Sequence, residues 1–136
     1  MKKVIVESPY AGNIQLNEIY GEFCLHDCLV NHNESPYASH LLYTRKYVLR
    51  DEVPTDRKLG IEAGFEWRNV SELTVFYTDL GMTKGMVLGI EDCSKKDRKY
   101  EVRKLPDYLR SAFIKSCINE GFDRNEILSI LKEHEK

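Results

Sequence analysis

The chain lacks any apolar run long enough to cross a bilayer. Its longest stretches, such as Val4 to Val6 and Leu73 to Tyr77, fall far short of the roughly 20 residues a membrane helix needs. The N-terminus MKKVIVESPY has lysines but no apolar core of signal-peptide length, so the cytoplasm is the expected compartment. An excess of positive charge is missing too. The formal net charge of −2 argues against a protein that wraps a nucleic-acid polymer, which needs a basic face. It leaves room for a small anionic nucleotide, since a few N–H groups and a cation or two hold a phosphate. Cysteine is scarce, with only Cys24, Cys28, Cys93 and Cys117. His26 and His32 lie near the first pair, but the spacing is not C-x-x-C and no second pair follows at zinc-ribbon distance. Buried free thiols are therefore expected, and a metal site is not. Repeats, low-complexity segments and Gly/Ser linkers are absent, and nothing marks a second large domain.

What is present reads as alternating strands and helices. A chain of 136 residues buries roughly two-thirds of its unfolded surface and needs no disulfide or metal to fold. Residues 3 to 7, KVIVE, form a β-branched apolar run that stops at Ser8-Pro9, because proline cannot continue a ladder. Such a run predicts a strand buried on both faces. A helix opens at Gly12-Asn13, with Leu16, Ile19, Tyr20, Phe23 and Val30 at helical spacing. Pro36 to Ser39 reads as a short second strand. His40 to Val53 reads as an irregular stretch, too long to lack a use in so small a domain. Pro54 begins a second helix that includes Phe65 and Trp67, the latter expected in the core or at a subunit contact. Leu73 to Tyr77 is a buried strand, Thr83 to about Ser94 a helix, and Tyr100 to Leu105 a strand near an edge. Helices follow at 107–119 and from Asp123, where Glu126 completes a capping-box-like pattern.

This alternation predicts an α/β fold, a small doubly wound, Rossmann-like parallel sheet of four to five strands. Residues 1–105 form the α/β domain. Residues 106–136 form a C-terminal helical extension, packed on the same domain or on a partner subunit. In a flavodoxin-like order, 2-1-3-4, the reversal falls between the first and third strands, and a ligand binds beyond their carboxyl ends.

Two loops line that crevice. In the first, Ser8, Ala11 and Gly12 are small enough for a ligand to approach the backbone, and Tyr10 offers a ring for stacking. Backbone N–H groups from Ala11 to Asn13 can face an anion. In the second, Asp79 can accept ribose hydroxyls, Gly81 and Gly85 keep the approach open, and Thr83 caps the next helix. The N–H groups of Met82 to Gly85 can meet phosphate. Both loops also suit ordinary strand-to-helix turns, and no Rossmann or P-loop glycine signature is present. Tyr37, His40, Arg45 and Arg57 are the further ligand-binding candidates from the long loop and second helix. A lone histidine such as His40 is more often structural.

The strings VIVESPYAG, YASHLLYT, DRKLGIEAGFEW and VFYTDLGMTKGM resemble a domain family found mostly in phages and prophages. That family is similar in fold to the nucleoside 2-deoxyribosyltransferases. The resemblance covers residues 3 to about 105 and implies a nucleoside-shaped pocket. In the enzymes an Asp, a Gly and then a helix-opening Glu follow a strand, and the Glu attacks the sugar. Asp79 and Gly81 match the first part, but Gly85, or Met86 if the register slips by one, stands where the Glu belongs. Covalent glycosyl transfer needs a carboxylate at the anomeric carbon. Glu91 lies roughly 9 Å further along the helix at 1.5 Å per residue. That leaves Glu7 as the one weak catalytic candidate, its structural role being to accept loop N–H groups. The expectation is thus a nucleotide-type ligand bound without turnover, no cofactor, and a homo-oligomer. In a phage, such a protein can sequester a nucleotide alarm signal in the cytoplasm of the bacterial host. The alternatives are an N-glycosidase or deoxyribosyltransferase-like enzyme, and a structural or regulatory partner with a vestigial pocket.

Overall fold

In the computed structural model, which describes residues 1–135, the chain runs through ten elements. They are β1 (Lys2–Glu7), α1 (Ile14–Asn31), β2 (Glu34–Tyr37), α2 (Ser39–Leu42), α3 (Pro54–Arg68), β3 (Leu73–Tyr77), α4 (Lys84–Lys95), β4 (Tyr100–Arg103), α5 (Asp107–Asn119) and α6 (Arg124–Glu133). The four strands form one all-parallel sheet in the order β2-β1-β3-β4. The architecture is a Rossmann-like α/β fold with the strand reversal between β1 and β3. The two central strands are buried on both faces: Val4, Ile5 and Val6 in β1, and all of Leu73–Tyr77 in β3. No helix is long and apolar enough to cross a membrane among the described residues.

β2 starts two residues earlier than the sequence implies. Asn33, with φ 51°, ends α1 in the left-handed region and turns the chain directly into Glu34. Pro36 is tolerated inside β2 because this strand lies at an edge of the sheet. The expected irregular stretch opens with α2, closed by a hydrogen bond from Tyr43 N to Ser39 O.

The two faces of the sheet are packed unequally. On one, α1 contributes Leu16, Tyr20, Cys24 and Cys28 to a large apolar cluster shared with Val4, Val6, Val75 and Tyr77. The tail packs into this same cluster through Leu109, Phe113, Ile127 and Leu131, so it covers the domain's own sheet. Phe113 meets Tyr20 and Phe23 edge-on, at centroid distances of 5.5 and 6.0 Å. On the other face only Phe76, Met86 and Cys93 form a buried cluster, with Ile90 against it.

That second face corrects the reading of α3. Leu59, Ile61, Phe65 and Trp67 are exposed, and the buried residues of α3 are Gly64 and Arg68. Trp67 is neither core nor fully free: its Nε1 donates to Tyr43 Oη at 3.0 Å and its ring leans on Tyr37 at 5.0 Å. The helix approaches its neighbours through glycine instead. A Cβ at Gly64 would lie 2.7 Å from Ser39 Oγ, and one at Gly60 would lie 3.3 Å from Leu49 Cδ1. Val30 is likewise exposed, because Asp27 and Cys28 take the inward positions at that end of α1. All four cysteines are buried free thiols, and burial pushes Cys28 and Cys117 up to about 11.

Candidate functional site

β1 ends at Glu7, and the chain beyond it opens a cavity of about 460 Å³. Its walls are the 8–11 loop, α2 and the turn after it, one side of α3, and the first turn of α4. Asn17 pins the 8–11 loop by donating from Nδ2 to the carbonyls of Tyr10 and Ala11, at 2.9 and 3.1 Å. The glycine contacts of α3 hold α2 close, so the opposite wall is fixed as well.

The deepest groups are charged and paired. Arg68 is only 3% exposed, and its guanidinium bridges Glu7 Oε1 at 3.0 Å and Asp92 Oδ2 at 3.3 Å. It also lies 4.6 Å from the centre of the Phe65 ring. Burial raises the Glu7 carboxyl above its ordinary range, and the neighbouring Arg68 offsets only part of that rise. Beside them Ser8 Oγ and His40 Nε2 are 2.7 Å apart. Burial, with a smaller contribution from Arg45, pushes His40 down to about 4. His40 is therefore neutral near pH 7, and its tautomer decides which partner donates. The Tyr10 ring stands edge-on to it at 6.4 Å.

The α4 end supplies an anion-facing surface. Thr83 caps the helix, its Oγ1 accepting from Met86 N at 3.2 Å. The N–H groups of Lys84 and Gly85, at the first two helical positions, have no intrahelical acceptor. A Cβ at Gly85 would meet only Thr83 Oγ1, at 3.7 Å, so packing does not demand glycine there. Met86 is buried against Phe76.

Eight residues singled out from sequence meet in this cavity: Glu7, Ser8, Tyr10, Ala11, His40, Arg57, Thr83 and Gly85. Others lie elsewhere. Gly12 takes a φ of 100° in the turn and Asn13 caps α1, its Oδ1 accepting from Leu16 N. Tyr37 stands behind the wall, against Tyr43 and Trp67. Arg45 is paired with Glu18. Gly81 and Met82 line a separate cavity of about 260 Å³ with Thr78, Val102, Glu133 and His134.

Asp79 is the main correction. It is 1% exposed and lies outside the cavity wall, among the packed groups of α1 and the tail. Tyr20 Oη donates to its Oδ2 at 2.6 Å, and Leu105 N donates to the same oxygen at 3.0 Å. Its own N–H donates to Tyr20 Oη at 2.9 Å, and Arg110 Nη1 is 3.9 Å from Oδ1. The carboxylate ties the end of β3 to α1 and the start of the tail.

Sequence reasoning missed Ser39, Tyr43, Asp51, Asp56 and Arg68 as lining residues. One signal was legible: Gly60, Gly64 and Arg68 recur every four residues and define a polar, close-packing face of α3. Among the described residues no group of three His, Cys, Asp or Glu could hold a metal ion.

Fold and site together define a Rossmann-like α/β domain with a cavity at its strand reversal, apolar over much of its lining and charged at its deepest point. Residues 2–103 match a family described as a domain of unknown function (DUF7768), and the chain belongs to that family. No curated protein and no solved structure matches it.

Proposed function

We propose that the protein binds a nucleotide-type small molecule in the cavity beyond β1 and holds it without chemical change. The carrying observation is the 460 Å³ cavity at the strand reversal, opened on one side by the free N–H groups of α4. Its volume falls in the range of small-molecule sites, and its position is where open parallel sheets bind ligands. Stacking on Tyr10, hydrogen bonds at Ser8 and His40, and phosphate contacts from α4, Lys84 and Arg57 are the interactions this reading uses. Retention without turnover fits a site whose deep carboxylate, Glu7, is already paired with Arg68 and whose α4 entry carries Gly85. The resemblance to phage and prophage proteins gives such retention a use, the sequestration of a nucleotide immune signal made by the host.

The test is to incubate the protein with nucleosides, nucleotides, NAD and cyclic ADP-ribose-type molecules, denature it by heat, and analyse what is released. Unchanged ligand is the expected result. A freed base or exchanged sugar would favour glycosyl chemistry instead. That second reading rests on the Glu7 oxygen not bonded to Arg68.

We also propose a homo-oligomer. Phe65, Val87 and Leu88 are exposed on the thinly packed α3–α4 face, and Leu88 and Phe65 also rim the cavity. Light scattering at micromolar concentration should give a multiple of 15.9 kDa, whereas a monomer alone counts against it.

A further inference from the structure

The charges of the cavity wall limit what it can hold. This inference rests on the nucleotide reading above and narrows it. The lining has three carboxylates, Glu7, Asp51 and Asp56, and three cations, Arg57, Arg68 and Lys84. Arg68 is not free for a ligand, since Glu7 and Asp92 already occupy its two terminal nitrogens and it is buried. Arg57 and Lys84 are exposed and remain free to meet an anion; neither is in an ion pair among the described residues. Asp51 and Asp56 line the same cavity, and Asp56 is already fixed there by a hydrogen bond from Arg50 N to its Oδ2 at 2.9 Å.

A first phosphate therefore finds Lys84 and the N–H groups of Lys84 and Gly85 on α4, while the other free cation, Arg57, stands on α3 next to Asp56 in the chain. A second or third phosphate finds at most Arg57 and approaches the carboxylates Asp51 and Asp56, of its own sign, which disfavours binding. A divalent cation could mask the extra charge. Among the described residues, however, no cluster of three His, Cys, Asp or Glu is placed to hold one. We infer that the occupant is a nucleoside carrying a single phosphate group, as a monoester or a cyclic diester, and that Asp51 and Asp56 exclude polyphosphates.

Calorimetric titration checks this with four forms of each common base: nucleoside, 5′-monophosphate, 3′,5′-cyclic monophosphate and 5′-triphosphate, each with and without magnesium. Within the series that binds best, a one-phosphate form should bind tightest and the triphosphate about tenfold or more weaker, as expected for uncompensated like charge. The monoester and the cyclic diester distinguish the two allowed linkages. Asp51→Asn, and separately the Asp51→Asn/Asp56→Asn pair, should bring the triphosphate's affinity up toward that of the monophosphate. The single variant spares the Arg50 contact if the double one fails to fold. A triphosphate that binds wild type as tightly as the monophosphate overturns the charge limit and leaves nucleotide binding standing. If no member of any series binds, the one-phosphate inference falls; the wider nucleotide reading falls with it only if the heat-release assay also recovers neither NAD nor a cyclic ADP-ribose-type molecule.

Discussion

His40 shows at the scale of one residue how the cavity sets its own chemistry. It is held neutral by burial and by the nearby charge of Arg45, and it shares a short hydrogen bond with Ser8. A base whose folded pKa lies below its unfolded value stabilises the fold fully above the unfolded pKa. That stabilisation is lost as pH falls toward the folded value. For His40 the window runs from 6.5 down to about 4. Wild type should therefore lose stability relative to His40→Gln across that window, by up to about 3 kcal/mol at 1.36 kcal/mol per pKa unit. Urea denaturation of both proteins at several pH values measures the difference, and parallel curves would show that His40 titrates normally. Tyr10 and Asp79 make a contrasting pair. Tyr10→Ala removes a cavity ring and should weaken ligand binding about five- to a hundredfold, from the roughly 1–3 kcal/mol of one stacked base. Asp79→Ala strips Tyr20 Oη and Leu105 N of their acceptor. Its cost should appear in stability, at about 2 kcal/mol or more. Denaturation and calorimetry on each variant separate the two effects.

Elements differ in how openly the sequence declares them. The central strands β1 and β3 are legible because a strand buried on both faces must be apolar throughout. The alternation implies a parallel sheet without fixing its strand order; the flavodoxin-like order, one choice consistent with it, is the one present, β2-β1-β3-β4, and it puts the crevice at the end of β1. Helix α3 is not legible by hydrophobic periodicity, because it packs through Gly60, Gly64 and Arg68 while its large apolar residues face outward. The same limit hid part of the site, since Arg68, which pairs with Glu7, lies four residues on from Gly64 on that glycine face. Asp79 misled for a different reason. Its place after a strand end was read correctly, but which side of the sheet it joins depends on Tyr20 and Leu105, far away in sequence. The glycine face gives a prediction for the element. A methyl at position 64 would stand 2.7 Å from Ser39 Oγ and 3.0 Å from its Cβ, so Gly64→Ala should push α2 off α3. The expected cost is about 1–3 kcal/mol, typical of overpacking. His40 should move with α2, and its NMR titration should rise from about 4 toward an ordinary histidine. An unshifted titration would mean that α2 is positioned by something other than this contact.

For the whole molecule, the decisive question is what the C-terminal helices do. The family match ends at residue 103, at the last strand, yet the structure continues its core through the tail. Leu109, Phe113, Ile127 and Leu131 lie fully within the cluster built on α1 and the sheet. Burying four such side chains contributes about 6–12 kcal/mol in transfer terms, as large as the roughly 5–15 kcal/mol of a whole domain's net stability. The tail is also tied down by polar contacts. Lys104 Nζ donates to His134 O at 2.7 Å, and a Cβ at Gly81 would strike the His134 ring at 2.6 Å. Leu105 N completes the buried Asp79 group. Removing the residues beyond Leu105 would uncover Tyr20, Cys24 and the inner face of α1 and take Arg110 from beside the buried Asp79 carboxylate. A chain ending at Leu105 should therefore fail to fold cooperatively, although it retains every residue of the cavity wall. Circular dichroism with thermal melting, set beside size-exclusion of the full and shortened chains, tests this. A shortened chain that melts in one sharp transition would show that the four strands and α1 to α4 stand alone, and that the tail serves something other than their stability.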